Sequence, residues 1–94
     1  MDEVFRALGD PTRREILRQL KRRDMTAGEL ADRFPLARST LSGHFNVLRS
    51  AGLIVSERRG TTIVYSLNLS SFEEALSVVL ELLQTRKRGK GRKP

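Results

Sequence analysis

RSTLSGHFNVLRSA, residues 38–51, is the stretch on which the fold turns. At about 100° per residue, a helix through it gathers Leu41, Phe45 and Leu48 on one side and Ser39, Ser42, Gly43, Asn46 and Ser50 on the other. The apolar side is a core face. The opposite side is odd for a solvated helix, because hydroxyls, an amide and a glycine stand where Glu and Lys ordinarily serve helicity. Small polar side chains let a helix come close to another surface. The major groove of B-DNA admits a helix, and Ser, Thr, Asn and Arg make hydrogen bonds there to base edges or phosphates. Gly43 costs about 1 kcal/mol relative to Ala inside a helix, so its place at the centre of this face fits close backbone approach. A merely solvated face with one tolerated glycine is the alternative, and the neighbouring segments weigh against it.

Working back from this stretch, Met25-Thr26-Ala27-Gly28-Glu29 opens another helix, with Thr26 as N-cap and Glu29 completing a capping box. Leu30, Ala31 and Phe34 are its apolar side, and Pro35 prevents continuation. Two helices joined by a turn of about three or four residues, the second with a polar outer face, predict a helix-turn-helix. Further back, Asp10 is a good N-cap and Pro11 sits at the first helical position, so a helix starts there and ends near Arg23. Ile16, Leu17 and Leu20 point inward, while Arg13, Arg14, Arg18 and Lys21 project outward. A short helical candidate from Glu3 to Leu8 precedes it, with Val4, Phe5 and Leu8 on one stripe.

Working forward, Gly52 suits the left-handed position that ends a helix. The period then changes: LIVSER and TIVYSL flank Arg59-Gly60-Thr61 and predict a β-hairpin with Arg58 and Arg59 at its tip. A basic hairpin just after a recognition helix reads as a wing that reaches phosphates or an adjacent minor groove, although hairpin tips also carry charge simply because they are solvated. SSFEE then offers two overlapping capping boxes for a last helix. Its apolar residues, among them Phe72, Leu76, Val79, Leu80 and Leu83, cover more than the stripe one neighbour needs. The same helix of a second copy is the expected neighbour, with Val4, Phe5 and Leu8 completing the seam.

Charge supports this reading through its distribution rather than its total. The net charge is +7, but the last nine residues, RKRGKGRKP, hold six of the eighteen basic side chains, leaving twelve against eleven acidic residues elsewhere. Residues 86–94 therefore read as a disordered basic tail, and residues 1–85 as one DNA-binding and dimerisation domain. Between residues 38 and 60, Arg38, Arg49, Arg58 and Arg59 face only Glu57, so the folded part is polarised rather than uniformly basic. Cysteine is absent and His44 is the only histidine. No disulfide or thiolate site is possible, and one imidazole cannot complete a tetrahedral metal site. No metal and no cofactor are expected. Neither a transmembrane-length apolar run nor a signal-peptide pattern is present, which suggests a cytoplasmic, nucleoid-associated protein without membrane insertion.

DPTRREILRQL, MTAGELADRF, LARSTLSGHFNVLRSAGLI and ERRGTTIVYSL together resemble the ArsR-type winged-helix repressors over residues 1–85. The SdpR-type autorepressors are the nearest subgroup, on length and on the AGELA turn. The resemblance implies a homodimer with terminal helices at the interface, an imperfect inverted-repeat operator, and repression of transcription. Ala37 departs from the Ser or Thr with which the family usually caps the recognition helix, and Gly43 from a larger residue. The family's metal-ligand positions carry neither His nor Cys here.

The fold expected is therefore a mainly α winged helix-turn-helix of order α-α-α-α-β-β-α. Its expected partners are double-stranded DNA and a second copy, with the inducer left open. Arg38, Ser39, Thr40, Ser42, Gly43 and His44 are the candidate base-reading residues, and Arg13, Arg14, Arg49, Arg58 and Arg59 the candidate phosphate and wing contacts. His44 lies about 60–70° from the core axis of its helix, so packing and DNA contact both stay open for it. A winged-helix module that binds protein, or a non-specific nucleic-acid binder, is the alternative. An enzyme is not expected, because no nucleophile and base pair or phosphate-cradling loop is found.

Overall fold

The computed structural model describes the backbone of residues 1–91 and the side chains of residues 1–84. Its elements run α1 (Asp2–Leu8), α2 (Pro11–Arg22), β1 (Met25–Thr26), α3 (Ala27–Ala31), α4 (Arg38–Ser50), β2 (Ile54–Arg59), β3 (Thr62–Leu67) and α5 (Leu69–Gly91). This is the mainly helical winged helix-turn-helix that the residue pattern predicts, with one strand more.

That strand is β1. Met25 pairs with Tyr65 and Thr26 with Val64, so β3 lies between β1 and β2 in an antiparallel sheet. Two residues are too few to show a period of two, and Met25, buried to 2% exposure, enters the core from a segment that reads as a helix start. Thr26 still caps α3: its hydroxyl oxygen accepts from the Glu29 amide at 3.0 Å, and the Glu29 carboxylate accepts from the Thr26 amide at 2.9 Å. Holding that backbone bond keeps the Glu29 carboxyl below its ordinary pKa.

The core is built where the apolar stripes of the helices meet the sheet. Ile16, Leu20, Leu30, Leu41 and Leu48 are almost completely buried, and Leu53 and Ile54 carry that core into the wing. Phe45 of α4 meets Tyr65 of β3 with ring centroids 4.8 Å apart and planes tilted by 40°, an offset geometry that aromatic quadrupoles favour. Helix α4 is thus held against the middle strand.

Three boundaries differ from expectation. α3 ends at Ala31, and residues 32–37 wind down through bonds from Arg33 to Leu30 and Phe34 to Ala31, so the turn before α4 is longer than three or four residues. Phe34 remains packed on the core without being helical. The last helix starts at Leu69, before the expected capping boxes, and the Ser71 hydroxyl donates to the Gly52 carbonyl instead. Finally, α5 runs to Gly91, into the tail expected to be disordered. Leu, Gln, Arg and Lys are all good helix formers, so an existing helix propagates readily into this segment. Residues 92–94 and the basic side chains of the tail lie outside the described residues.

Candidate nucleic-acid interface

Helix α4 opens without a side-chain cap. Ala37 occupies the N-cap with extended backbone and offers no acceptor, so the first N–H groups of α4 have no side-chain partner. Its other end is closed by two bonds, Gly52 N–H to Arg49 O at 2.9 Å and Leu53 N–H to Leu48 O at 3.0 Å. These form a Schellman motif. Gly52 has φ +79°, which an L side chain rarely adopts, so this turn into the wing depends on glycine.

Between these ends, Arg38, Ser39, Thr40, Ser42 and Gly43 are all exposed. Among the described residues, no hydrogen bond or ion pair within the chain engages the side chains of Arg38, Ser39, Thr40 or Ser42. A Cβ built on Gly43 meets nothing within 4 Å. The fold therefore gives no packing reason for that glycine. Asn46 sits among these residues, and its Oδ1 accepts from Arg49 Nη2 at 3.0 Å. Because a guanidinium only donates, that bond turns the Asn46 amide group toward solvent as a donor. Asn46 thus joins the face by geometry, although it is absent from the expected base-reading set. Its signal was its place on the polar side of the helix.

His44 lies apart from them. Its side chain is 18% exposed, with Nδ1 3.3 Å from Arg13 Nη1 and 3.9 Å from the Asp10 carboxylate. It packs against the start of α2 at the edge of the face rather than within it.

Arg13 and Arg14, which the sequence predicts as outward phosphate contacts, both bond backbone carbonyls of α1, Arg14 from an exposed position. Arg13 Nε donates to Ala7 O at 2.9 Å and its Nη2 to Arg6 O at 3.2 Å. Arg14 Nη1 donates to Leu8 O at 2.9 Å. Arg13 Nε and Arg14 Nη1 thus serve the Ala7 and Leu8 carbonyls at the C-terminal end of α1, and Arg13 Nη2 shares the Arg6 carbonyl with the Gly9 amide; a positive charge there is also favoured by the helix dipole. Short sequence separation concealed this, because the chain reverses direction at Gly9-Asp10. Asp10 Oδ2 caps α2 by accepting from the Arg13 amide at 3.0 Å. That bond, reinforced by the nearby His44 and Arg13 side chains, holds the Asp10 carboxyl below its ordinary pKa.

The wing is a two-residue hairpin. Arg59 pairs with Thr62, and Gly60 takes φ +64° while Thr61 keeps a negative φ, the sign pattern of a type II′ turn. Arg58 and Arg59 are exposed and, by strand alternation, point to opposite faces. Arg59 also bonds Glu57 at 3.0 Å, an exposed pair of the kind worth about 0–1 kcal/mol. It does not immobilise the guanidinium.

Along α5 the apolar residues Leu69, Phe72, Leu76, Val79 and Leu83 recur at alternating spacings of about three and four residues, the pattern of a helix seam. Leu76, Val79, Leu80 and Leu83 are exposed, with Leu76 at 56% and Leu83 at 57%. Val4 is different. It is 5% exposed and belongs to the core with Ala7, so α1 offers Phe5, and in part Leu8, to any seam. Phe72 is half-buried and packs on the core as well. Among the described residues no cluster of His, Asp or Glu forms a metal site, and no helix is long and apolar enough to cross a membrane.

A helix-turn-helix whose second helix presents a bare polar face, followed by a basic wing, defines a winged-helix protein of the DNA-binding class. Residues 8–57 match the family described as a helix-turn-helix domain. The transcriptional repressor SdpR of Bacillus subtilis is 41% identical over 83 residues, covering 88% of this chain and 92% of that protein. An ArsR-like transcriptional regulator from a Rhodococcus species superposes with a TM-score of 0.89 at 32% identity, over 96% of this chain and 83% of that one. A second ArsR family regulator gives a TM-score of 0.86 at 28% identity, over 92% of this chain and 94% of that one. The chain belongs to the ArsR family of winged helix-turn-helix transcriptional regulators.

Proposed function

We propose that this chain is a dimeric repressor that reads an inverted-repeat operator with α4, as an autorepressor of the SdpR type. The observation that carries this reading is the open space around Gly43. Glycine at that position costs helix stability of about 1 kcal/mol and relieves no contact inside the protein. Its benefit must lie outside, in a surface brought close to the α4 backbone. Arg38, Ser39, Thr40 and Ser42 then reach base edges, joined by Asn46. Arg49, Arg58 and Arg59 contact phosphates, and the open N-terminus of α4 favours a phosphate near it. The similarity to SdpR, a transcriptional repressor, supports the repressor role.

The bare stripe on α5 supports the dimeric reading. The molecule measures 61 Å along its longest axis and 24 Å and 21 Å along the others, as expected when a long helix stands clear of the body that starts it. A second copy laid along the stripe would cover Leu76, Val79, Leu80 and Leu83. To read two half-sites one turn of DNA apart, the two-fold-related α4 helices have to stand about 34–36 Å from each other. Repression requires only occupation of a promoter, without a catalytic step, and places the protein in the cytoplasm at the nucleoid.

Selecting bound duplexes from a random pool tests the proposal. The expected result is a short inverted repeat with half-site centres one helical turn apart. Binding of every duplex with equal affinity would instead favour a non-specific binder, and binding of none a protein-interaction module.

A further inference from the structure

The contact between Arg13 and His44 constrains an imidazole that the sequence leaves undecided. Arg13 is a donor at every nitrogen and has no acceptor. Its Nη1 lies 3.3 Å from His44 Nδ1, so Nδ1 must present a lone pair and the neutral ring must carry its proton on Nε2. The competing partner would select the other form, since the Asp10 carboxylate accepts and would draw a proton to Nδ1. It stands farther off, at 3.9 Å. Arg13 itself is not free to turn away, because Ala7 O and Arg6 O hold two other corners of its guanidinium.

The Nε2 edge of the ring faces outward. Among the described residues no buried side-chain nitrogen or oxygen lacks a partner, and no protein group takes the Nε2 proton. That atom therefore meets solvent. On the helical wheel His44 falls on the flank of α4 turned to α2, while Arg49, a proposed phosphate contact, falls on the other flank. When a helix lies in a groove, its flanks face the two sugar-phosphate backbones and its centre faces the bases.

We infer that Arg13 is a positioning residue of the DNA interface: by donating to His44 Nδ1 it holds the imidazole as the Nε2–H tautomer, which donates to a backbone phosphate. This rests on α4 as the DNA-reading helix, and moves His44 from base reading to backbone contact. A neutral donor fixed in this way contributes register without adding charge.

The tautomer is measured first in the free protein, by long-range proton–nitrogen correlation of the ¹⁵N-labelled imidazole at mildly alkaline pH. The expected pattern shows a protonated Nε2 and a bare Nδ1, and Arg13→Ala moves the proton to Nδ1, toward Asp10. A Nδ1–H form in the unaltered protein overturns the inference. The second measurement is affinity for the selected operator. A glutamine amide reaches roughly where Nε2 stands and an asparagine amide roughly where Nδ1 stands. His44→Gln should bind within a few-fold of the unaltered protein, and His44→Asn should lose about tenfold, as for one hydrogen bond to a charged group. Neither should change the slope of log affinity against log salt, whereas a charged imidazolium contact would remove about 0.9 from it. Equal binding by His44→Gln, His44→Asn and the unaltered protein overturns the phosphate contact even if Arg13→Ala proves too unstable to use. Failure of the unaltered protein to bind any duplex defeats the proposed function, and with it the contact. The tautomer measurement in the free protein still decides what Arg13 does to His44.

Discussion

The Ser71 hydroxyl, at the start of α5, donates to the carbonyl oxygen of Gly52, at the end of α4, at 2.7 Å. Asn68 Nδ2 donates to the same oxygen at 2.9 Å and to Ser71 Oγ at 3.2 Å. The turn that ends the recognition helix is therefore tied to the turn that begins the long helix. Ser71→Ala should cost about 1 kcal/mol, and Gly52→Ala about 1–2 kcal/mol, because alanine resists a positive φ. Urea midpoints of the two variants check this; an unchanged midpoint for Gly52→Ala would show that the turn relaxes freely.

Gly43 should respond in the opposite sense. Gly43→Ala adds a methyl group that meets nothing in the chain and should stabilise the protein by about 0.5–1 kcal/mol. Operator affinity should nevertheless fall. Thermal melting and duplex binding measured on the same preparation test the pair, and a stabilised variant that binds as well as before would remove the close-approach argument.

The α5 stripe is tested by charge. Val79→Glu combined with Leu83→Glu should convert a dimer into a folded monomer, since neither residue belongs to the buried core. Sedimentation at micromolar concentration gives the answer, and an unaltered protein that already sediments as a monomer contradicts the assembly.

Asp10 makes the start of α2 sensitive to acid. Its amide partner Arg13 lowers the carboxyl pKa in the folded state below the ordinary 3.8, so the unfolded chain binds the proton more tightly. The stabilisation is complete above the unfolded value and is lost as pH falls through the folded one. Asp10→Ala should therefore cost about 1 kcal/mol at neutral pH, as other N-cap losses do, and progressively less below the ordinary value. Denaturant titrations at neutral and strongly acidic pH separate this from a loss of packing, which would not depend on pH.

Deleting residues 86–94 removes six basic side chains and none of the proposed readers. Each lost phosphate contact should reduce the salt slope by about 0.9 and weaken operator and random duplex alike. Arg38→Ala or Ser42→Ala should instead cost about 1–3 kcal/mol at particular base pairs. If truncation abolished the preference for operator while the two substitutions were harmless, the reader would be the tail.

Where the signal is local, the chain discloses its own structure. Helical periodicity placed Leu41, Phe45 and Leu48 inward, Asp10 and Thr26 announced two helix starts, and Gly52 and Gly60 marked the turns where φ is positive. The bare face of α4 was legible for the same reason, since it is a property of one helix. Failures came where a partner lies elsewhere in space. Thr26 does cap α3, but the short strand Met25–Thr26 went unseen because its partners, Tyr65 and Val64, lie far along the chain.

The charged residues mark the division most clearly. By itself the sequence determined the winged helix-turn-helix, the polar face of α4 and the basic wing, because period, capping and turn chemistry act over a few residues. Only the tertiary structure decided that Arg13 and Arg14 turn back onto the end of α1, that Val4 is core, and that His44 rests against α2. A cation near the surface has no conformational preference strong enough to reveal its partner. Its direction is set by whichever unpaired carbonyl, carboxylate or ring nitrogen the folded chain brings within reach.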